Sequence, residues 1–249
     1  MLAYEFPLNE RTRTWLRLED LFAKSAHFMT TDGGTREHHA ALLAIFELFE
    51  VSARPELKSD LLQELERQRV SLNGLRNNPQ VNALRLDRVI AGLSEAINGV
   101  QAMSGKIGQH MRDNEWLAGI RSRSFIPGGA CNFDVPSYFY WLSRPGAERL
   151  ADLESWLAPF APVREGLAQL LLLLREGRQS MRLQAMRGAL QMPSPGRPVN
   201  LLGLRVADDL QCVPEVSASR HAFNIRFVTV DRQQRPRQCD RDIDFEILV

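Results

Sequence analysis

The chain has 249 residues, 44% of them hydrophobic and 24% charged, with a formal net charge of +1. That balance supports one large core or two smaller ones and excludes long disordered tracts. Cys131, Cys212 and Cys239 are too few and too scattered for a disulfide scaffold or a zinc site, so reduced thiols in a cytosolic protein are expected.

From the N-terminus, MLAYEFPLNERTR lacks the apolar core of a signal peptide. In PLNERTRTWLRLEDLF, Asn9 reads as an N-cap, and Trp15, Leu18 and Phe22 follow at helical spacing, which makes them core. Arg13 and Arg17 lie four apart on another face. A loop at Thr31–Thr35 precedes a second helix over about Glu37–Ser52. From Arg54 the pattern predicts a long helical hairpin. Leu57, Leu61, Leu65, Leu72 and Leu75 form one stripe, Asn77-Asn78-Pro79 the turn, and Val81, Leu84, Val89, Leu93, Ile97 and Val100 the return. Such arms pack on each other or on a partner subunit.

Lys106–Arg123 reads as one more short helix ending in basic residues. After Pro127-Gly128-Gly129, the tract Ala130–Asp134 is expected as a strand, and Pro136 opens a helix again. Helices continue through Trp141 and Trp156 to about Gly177. Their greasiest run, Leu170–Leu174, is far shorter than the roughly 20 residues of a membrane span. The remainder is β in texture. Met181–Met192 alternates weakly and Leu201–Val206 is a short apolar segment. His221–Val228 and Asp242–Ile247 alternate cleanly, as antiparallel strands with one wet face do. The predicted fold is α+β: a helical domain with a long helical hairpin plus a smaller antiparallel β domain. Residues 1–124 are assigned to the helical domain, 125–135 to a strand lent to the β domain, 136–178 to further helices, and 179–249 to the β domain.

No catalytic constellation emerges. His38 and His39 are adjacent and diverge by about 100° on a helix, so they read as surface residues and not as metal ligands. Ile126–Cys131 lacks the glycine pattern and Lys-Ser/Thr of a phosphate loop, and no histidine is nominated as a base for Cys131. Asp240, Asp242, Asp244 and Glu246 have the period of a strand, without the mid-loop glycine of a calcium hand. No enzyme activity, cofactor or metal is expected.

The arginines remain. Of 31 basic residues only Lys24, Lys58 and Lys106 are lysines, and a guanidinium presents a planar fork to carboxylates and phosphates. The span Gly177–Ala207 carries Arg178, Arg182, Arg187, Arg197 and Arg205 with no Asp or Glu. A nucleic-acid-binding β surface is therefore the alternative reading.

The blocks FPLNERTRTWLRLEDLF, KIGQHMRDNEWLAGIRSR, SFIPGGACNFDVPSYFYWL and HAFNIRFV with DIDFEIL resemble, in order and over nearly the whole chain, the ZapD family of bacterial cell-division proteins. The resemblance implies a helical domain and a β domain assembled as a homodimer, without membrane or nucleic-acid partners. It further implies binding to the C-terminal tail of FtsZ, and cross-linking of FtsZ filaments at the midcell division ring in the cytoplasm. Within the matching blocks the arginines expected to meet that tail are Arg13, Arg17, Arg112, Arg121, Arg123, Arg220 and Arg226, with Lys106 beside them. For each, an ion pair with a neighbouring acid is the competing role.

Overall fold

The computed structural model describes residues 1–30, 34–194, 196, 198–219, 221–231 and 233–249. Most of the loop expected at Thr31–Thr35, together with Arg197 and Arg220, lies outside them. The fold is α+β, and the chain divides into two compact units, residues 14–171 and residues 1–13 with 172–249.

The first unit is helical. Helix α1, Glu10–Phe28, starts where expected: the Asn9 side chain accepts a hydrogen bond from the Thr12 amide at 2.8 Å. Trp15, Leu18 and Phe22 are buried, and α2, Thr35–Ser52, adds Leu42, Ile45, Phe46 and Phe49 to the core. The hairpin consists of α3, Leu57–Asn73, and α4, Ala83–Ala102. Its base is buried at Leu57, Leu61, Leu65, Leu93, Ile97 and Val100, but toward the tip Leu75 is exposed, as is Leu84, one of the expected stripe residues. On α4 the inward positions near the tip are Leu86 and Ile90.

The expected helix Lys106–Arg123 is two, α5, Gln109–Asp113, and α6, Glu115–Ser124. Asn114 separates them, because its side chain accepts from the Leu117 amide at 3.0 Å and so caps a new helix. Ala130–Asp134 forms turns and not the expected strand: the Asp134 and Val135 amides both bond to the Cys131 carbonyl, which leaves no extended backbone to pair. Pro136 then opens α7, Pro136–Leu142. Helix α8, Gly146–Leu157, a 3-10 turn at Ala158–Phe160 and α9, Ala161–Glu176, follow without a break. The stretch Gly146–Glu176 has the length and composition of a membrane span, yet Leu153, Phe160, Val163, Leu167, Leu170 and Leu171 within it are core residues of this unit. At Gly166 an added Cβ would lie 3.2 Å from Leu61 and 3.4 Å from Leu65, so α9 approaches α3 closely.

The second unit is a pair of antiparallel sheets sharing one core. One sheet begins with a strand for which the sequence analysis has no counterpart, β1, Leu2–Pro7. It also contains β2, Ser180–Ala185, β4, Leu201–Val206, and β7, Ile243–Leu248, in the order β1-β4-β7-β2. The other has β3, Ala189–Pro193, β5, Cys212–Ala218, and β6, Ala222–Thr229, in the order β3-β6-β5. Alternation along β6 and β7 buries Phe223, Ile225 and Phe227 against Ile243, Phe245 and Ile247, and the Phe227 and Phe245 rings meet at 5.3 Å. The weak alternation of Met181–Met192 is a hairpin, turned at Arg187 and Gly188 with φ of 48° and 72°.

Cys212 and Cys239 are both buried and form a disulfide, against the expectation of reduced thiols; Cys131 is free and exposed. The connection from β6 to β7 folds back on β6, where the Cys239 amide donates to the Phe227 carbonyl, and so meets Cys212 at the start of β5, an approach that a separation of 27 residues hides in the sequence. Reduction should lower stability by about 3 kcal/mol, from the chain entropy released on opening a loop of that size. Melts with and without reductant measure it, and thiol titration of the denatured chain should rise from one group to three. Three thiols before reduction would overturn the pairing.

Candidate partner-binding site

Two arginines, one from α5 and one from α6, converge on one buried ring. Gly108, with φ of 75°, passes so close to Phe49 that a Cβ there would sit 2.5 Å from the ring. Only glycine fits both the conformation and the approach. The passage sets Arg112 of α5 with its guanidinium carbon 5.4 Å from the Phe49 centroid, while Arg121 in the last turn of α6 lies 4.7 Å from the same centroid. Two cations from separate helices thus stack on one aromatic side chain. Stacking uses the guanidinium face and leaves N–H edges for a carboxylate. One edge is taken, since Arg121 Nη1 donates to Glu50 Oε1 at 2.5 Å. Arg112 and Arg123 are exposed and touch no carboxylate among the described residues, and Lys106, just before α5, is exposed as well.

The other expected contacts are dispersed. Arg13 pairs with Glu10 one turn away at 3.3 Å. Arg17 is exposed on α1. Arg226 on β6 pairs with Glu215 of β5 at 2.7 Å, as befits opposite charges in register across neighbouring strands. Arg220 lies outside the described residues. The sequence reading missed two participants. Phe49 read only as core, and Arg54 only as the start of the hairpin. Arg54 Nη1 donates to Thr14 Oγ1 at 3.3 Å, three residues before Arg17 on α1, so its guanidinium reaches the turn beside Arg17. Neither has a local signal, because both act through segments distant in the chain.

The histidine pair is not a surface feature. His38 is fully buried; its Nδ1 accepts from Arg149 Nε at 3.1 Å, and its Nε2 therefore donates to the Thr30 carbonyl. His39 shares a hydrogen bond with Tyr138, and burial lowers the His39 pKa and raises that of Tyr138, which keeps both neutral. Tyr138 stacks on Trp141, and Trp116 and Trp156 complete an aromatic cluster with centroids 5.6 to 6.5 Å apart, too close to enclose a ligand. No group of three His, Cys, Asp or Glu among the described residues is placed to hold a metal.

Residues 16–226 match the ZapD family, described as "Cell division protein". The chain is 50% identical over 247 residues to "Cell division protein ZapD" of Aromatoleum aromaticum, covering 99% of this chain and 96% of that protein. The chain belongs to the ZapD family. Against the ZapD of Azoarcus sp. (strain BH72) it is 47% identical over 250 residues, covering 99% and 98% of the two chains. Membership makes this a cell-division protein.

In this ZapD-family chain the acid-free span Gly177–Ala207 is answered from elsewhere. Arg178 pairs with Glu5, Arg187 with Asp240 and Arg205 with Glu246. A cleft of about 680 Å³ on this unit is lined by Arg182 and Arg205, but also by Asp244 and Glu246. Mixed charge of this kind favours no polyanion, which weighs against the nucleic-acid alternative.

Proposed function

We propose that this ZapD-family protein binds the C-terminal tail of FtsZ and, as a cytoplasmic homodimer, cross-links FtsZ filaments at the division ring. It works by binding and carries out no reaction. The observation that supports this best is the convergence of Arg112 and Arg121 on Phe49, with Arg123 in the same last turn of α6 as Arg121 and Lys106 just before α5. A short acidic and apolar tail finds there fixed guanidinium edges for its carboxylates. Membership of a cell-division family supports the choice of partner. Two such sites on one dimer tether two filaments, and the second contact, being intramolecular, is far stronger than the first alone.

The test is a titration of a labelled synthetic FtsZ-tail peptide against wild type and Arg112→Glu. Because Arg112 is exposed, the variant should melt close to wild type. Its affinity should fall at least about tenfold, because attraction becomes repulsion. Raised salt should weaken the wild-type contact as the charges are screened. Bundling of FtsZ should need the tail, and the bundling species should sediment as a dimer. Unchanged peptide affinity in the variant, or equal bundling of tail-deleted FtsZ, would overturn the reading.

A further inference from the structure

The segment that follows α6 leaves apolar side chains in water. Phe125, Ile126, Phe133, Phe139 and Tyr140 are exposed, Phe133 at 79% and Tyr140 at 67%, and they include every exposed Phe and Tyr among the described residues. The backbone beneath them is well tied. The Ile126 amide donates to Arg123, Gly129 to Ile126, and Asp134 and Val135 to Cys131. Helix α7 shows the division most clearly. Tyr138 and Trp141 are buried while their neighbours Phe139 and Tyr140 face out. A merely solvated outer face would carry polar residues there, and so many large apolar side chains left in water by one segment mark a contact surface.

The rim of the patch says what it meets. Arg121 and Arg123 occupy the last turn of α6 and lead directly into Phe125, and from Arg121 through Phe133 the chain has no Asp or Glu. The hydrogen bond from the Ile126 amide to the Arg123 carbonyl, 3.0 Å, keeps cation and patch within one turn of each other. A second copy laid patch to patch would offer the two arginines of this rim a single carboxylate from the same segment, that of Asp134. A peptide with apolar side chains beside carboxylates satisfies both parts, its apolar groups covering the aromatic rings and its acids taking the arginine edges.

We infer that the exposed apolar residues between Phe125 and Tyr140 form an aromatic docking surface for the apolar side chains of an acidic linear peptide whose carboxylates are held by the arginines of α5 and α6. This rests on the tail-binding reading above and adds a second, uncharged half to that site.

The double variant Phe133→Ser, Tyr140→Ser in the full chain tests it, with the labelled FtsZ-tail peptide as probe. Both side chains are largely in water, so the melt should match wild type; Phe133→Ser alone, at the most exposed position, serves if the double variant melts lower. Affinity should fall at least about tenfold, with the dependence on salt unchanged, whereas Arg112→Glu should weaken binding and flatten that dependence. Wild-type affinity in the patch variant, with wild type itself binding the peptide, overturns the surface and leaves the arginine site standing. No binding of the peptide by wild type overturns the tail reading and this inference with it. A patch variant that sediments as a monomer yet binds the peptide normally assigns the patch to self-contact, and also overturns the inference.

Discussion

Replacing Glu5 with Ala should cost about 3–5 kcal/mol of folding stability, because it strands two arginines in the β unit. Glu5 lies on β1 opposite Gly203 of β4. Arg175 Nη2 reaches its Oε2 at 2.8 Å and Arg178 Nη2 its Oε1 at 3.0 Å. Arg178 is the exacting member. Its side chain is only 12% exposed, its buried Nη1 has no hydrogen-bond partner, and that nitrogen occupies space 2.8 Å from where a Cβ on residue 203 would lie. Glycine on the strand therefore makes room for the guanidinium, and the carboxylate is what compensates its charge. Burial by itself pushes the Glu5 pKa up, but the hydrogen bonds and charges of Arg175 and Arg178 outweigh it and hold the carboxyl below the ordinary value. A carboxylate depressed in the fold contributes stability that is present above its unfolded pKa and lost as pH falls through the folded one. Denaturant melts of wild type and Glu5→Ala should accordingly differ most at neutral pH and converge in acid. A gap that stays constant down to the acid limit would assign the loss to packing and refute the ionic account.

Trp15→Ala should destabilise the helical unit by a similar amount, about 3–5 kcal/mol, through lost burial and the cavity left behind. The ring is 2% exposed, with Leu18 at 0% and Phe22 at 7% along the same stripe of α1. Exposed Arg13 and Arg17 flank it in sequence, so the same segment supplies a core anchor on one side and solvent-facing charge on the other. The remaining tryptophans, Trp116, Trp141 and Trp156, sit against one another, and their fluorescence reports unfolding in the variant without Trp15. A variant that melts like wild type would contradict the place of Trp15 in the core.

Some of the chain was legible because the relevant physics is local. The Asn9 cap, the Trp15 stripe, the hairpin turn at Asn77–Pro79 and the helix start at Pro136 depend on residues a turn or less apart. Strands β6 and β7 were legible because each has one wet face, which writes a period of two into the sequence. Strand β1 was not: it lies at a sheet edge with Leu2 and Ala3 exposed and Tyr4 to Pro7 all half-buried, so no alternation of wet and dry faces is written into it. Strand β5 contains Pro214, which argues against a strand from sequence and is tolerated because β5 is also an edge. The glycines before Ala130 signalled a change of direction correctly, but not that the chain would curl into turns there instead of extending.

For the site, the sequence determined the residue types and their sequence neighbourhoods, and through the family blocks the role in cell division. Only the tertiary structure decided which arginines meet. The Arg13 pair with Glu10 is three residues apart and could be read from spacing, whereas the pair of Arg121 with Glu50 spans 71 residues and that of Arg175 with Glu5 spans 170. The placing of Arg112 and Arg121 on Phe49, the burial of His38 under Arg149 and the joining of Cys212 to Cys239 are of the same kind. Each depends on where a distant element docks. Docking is set by the summed burial of whole helix and strand faces, so a charged side chain inherits its partner from a packing arrangement that its own sequence neighbours do not encode.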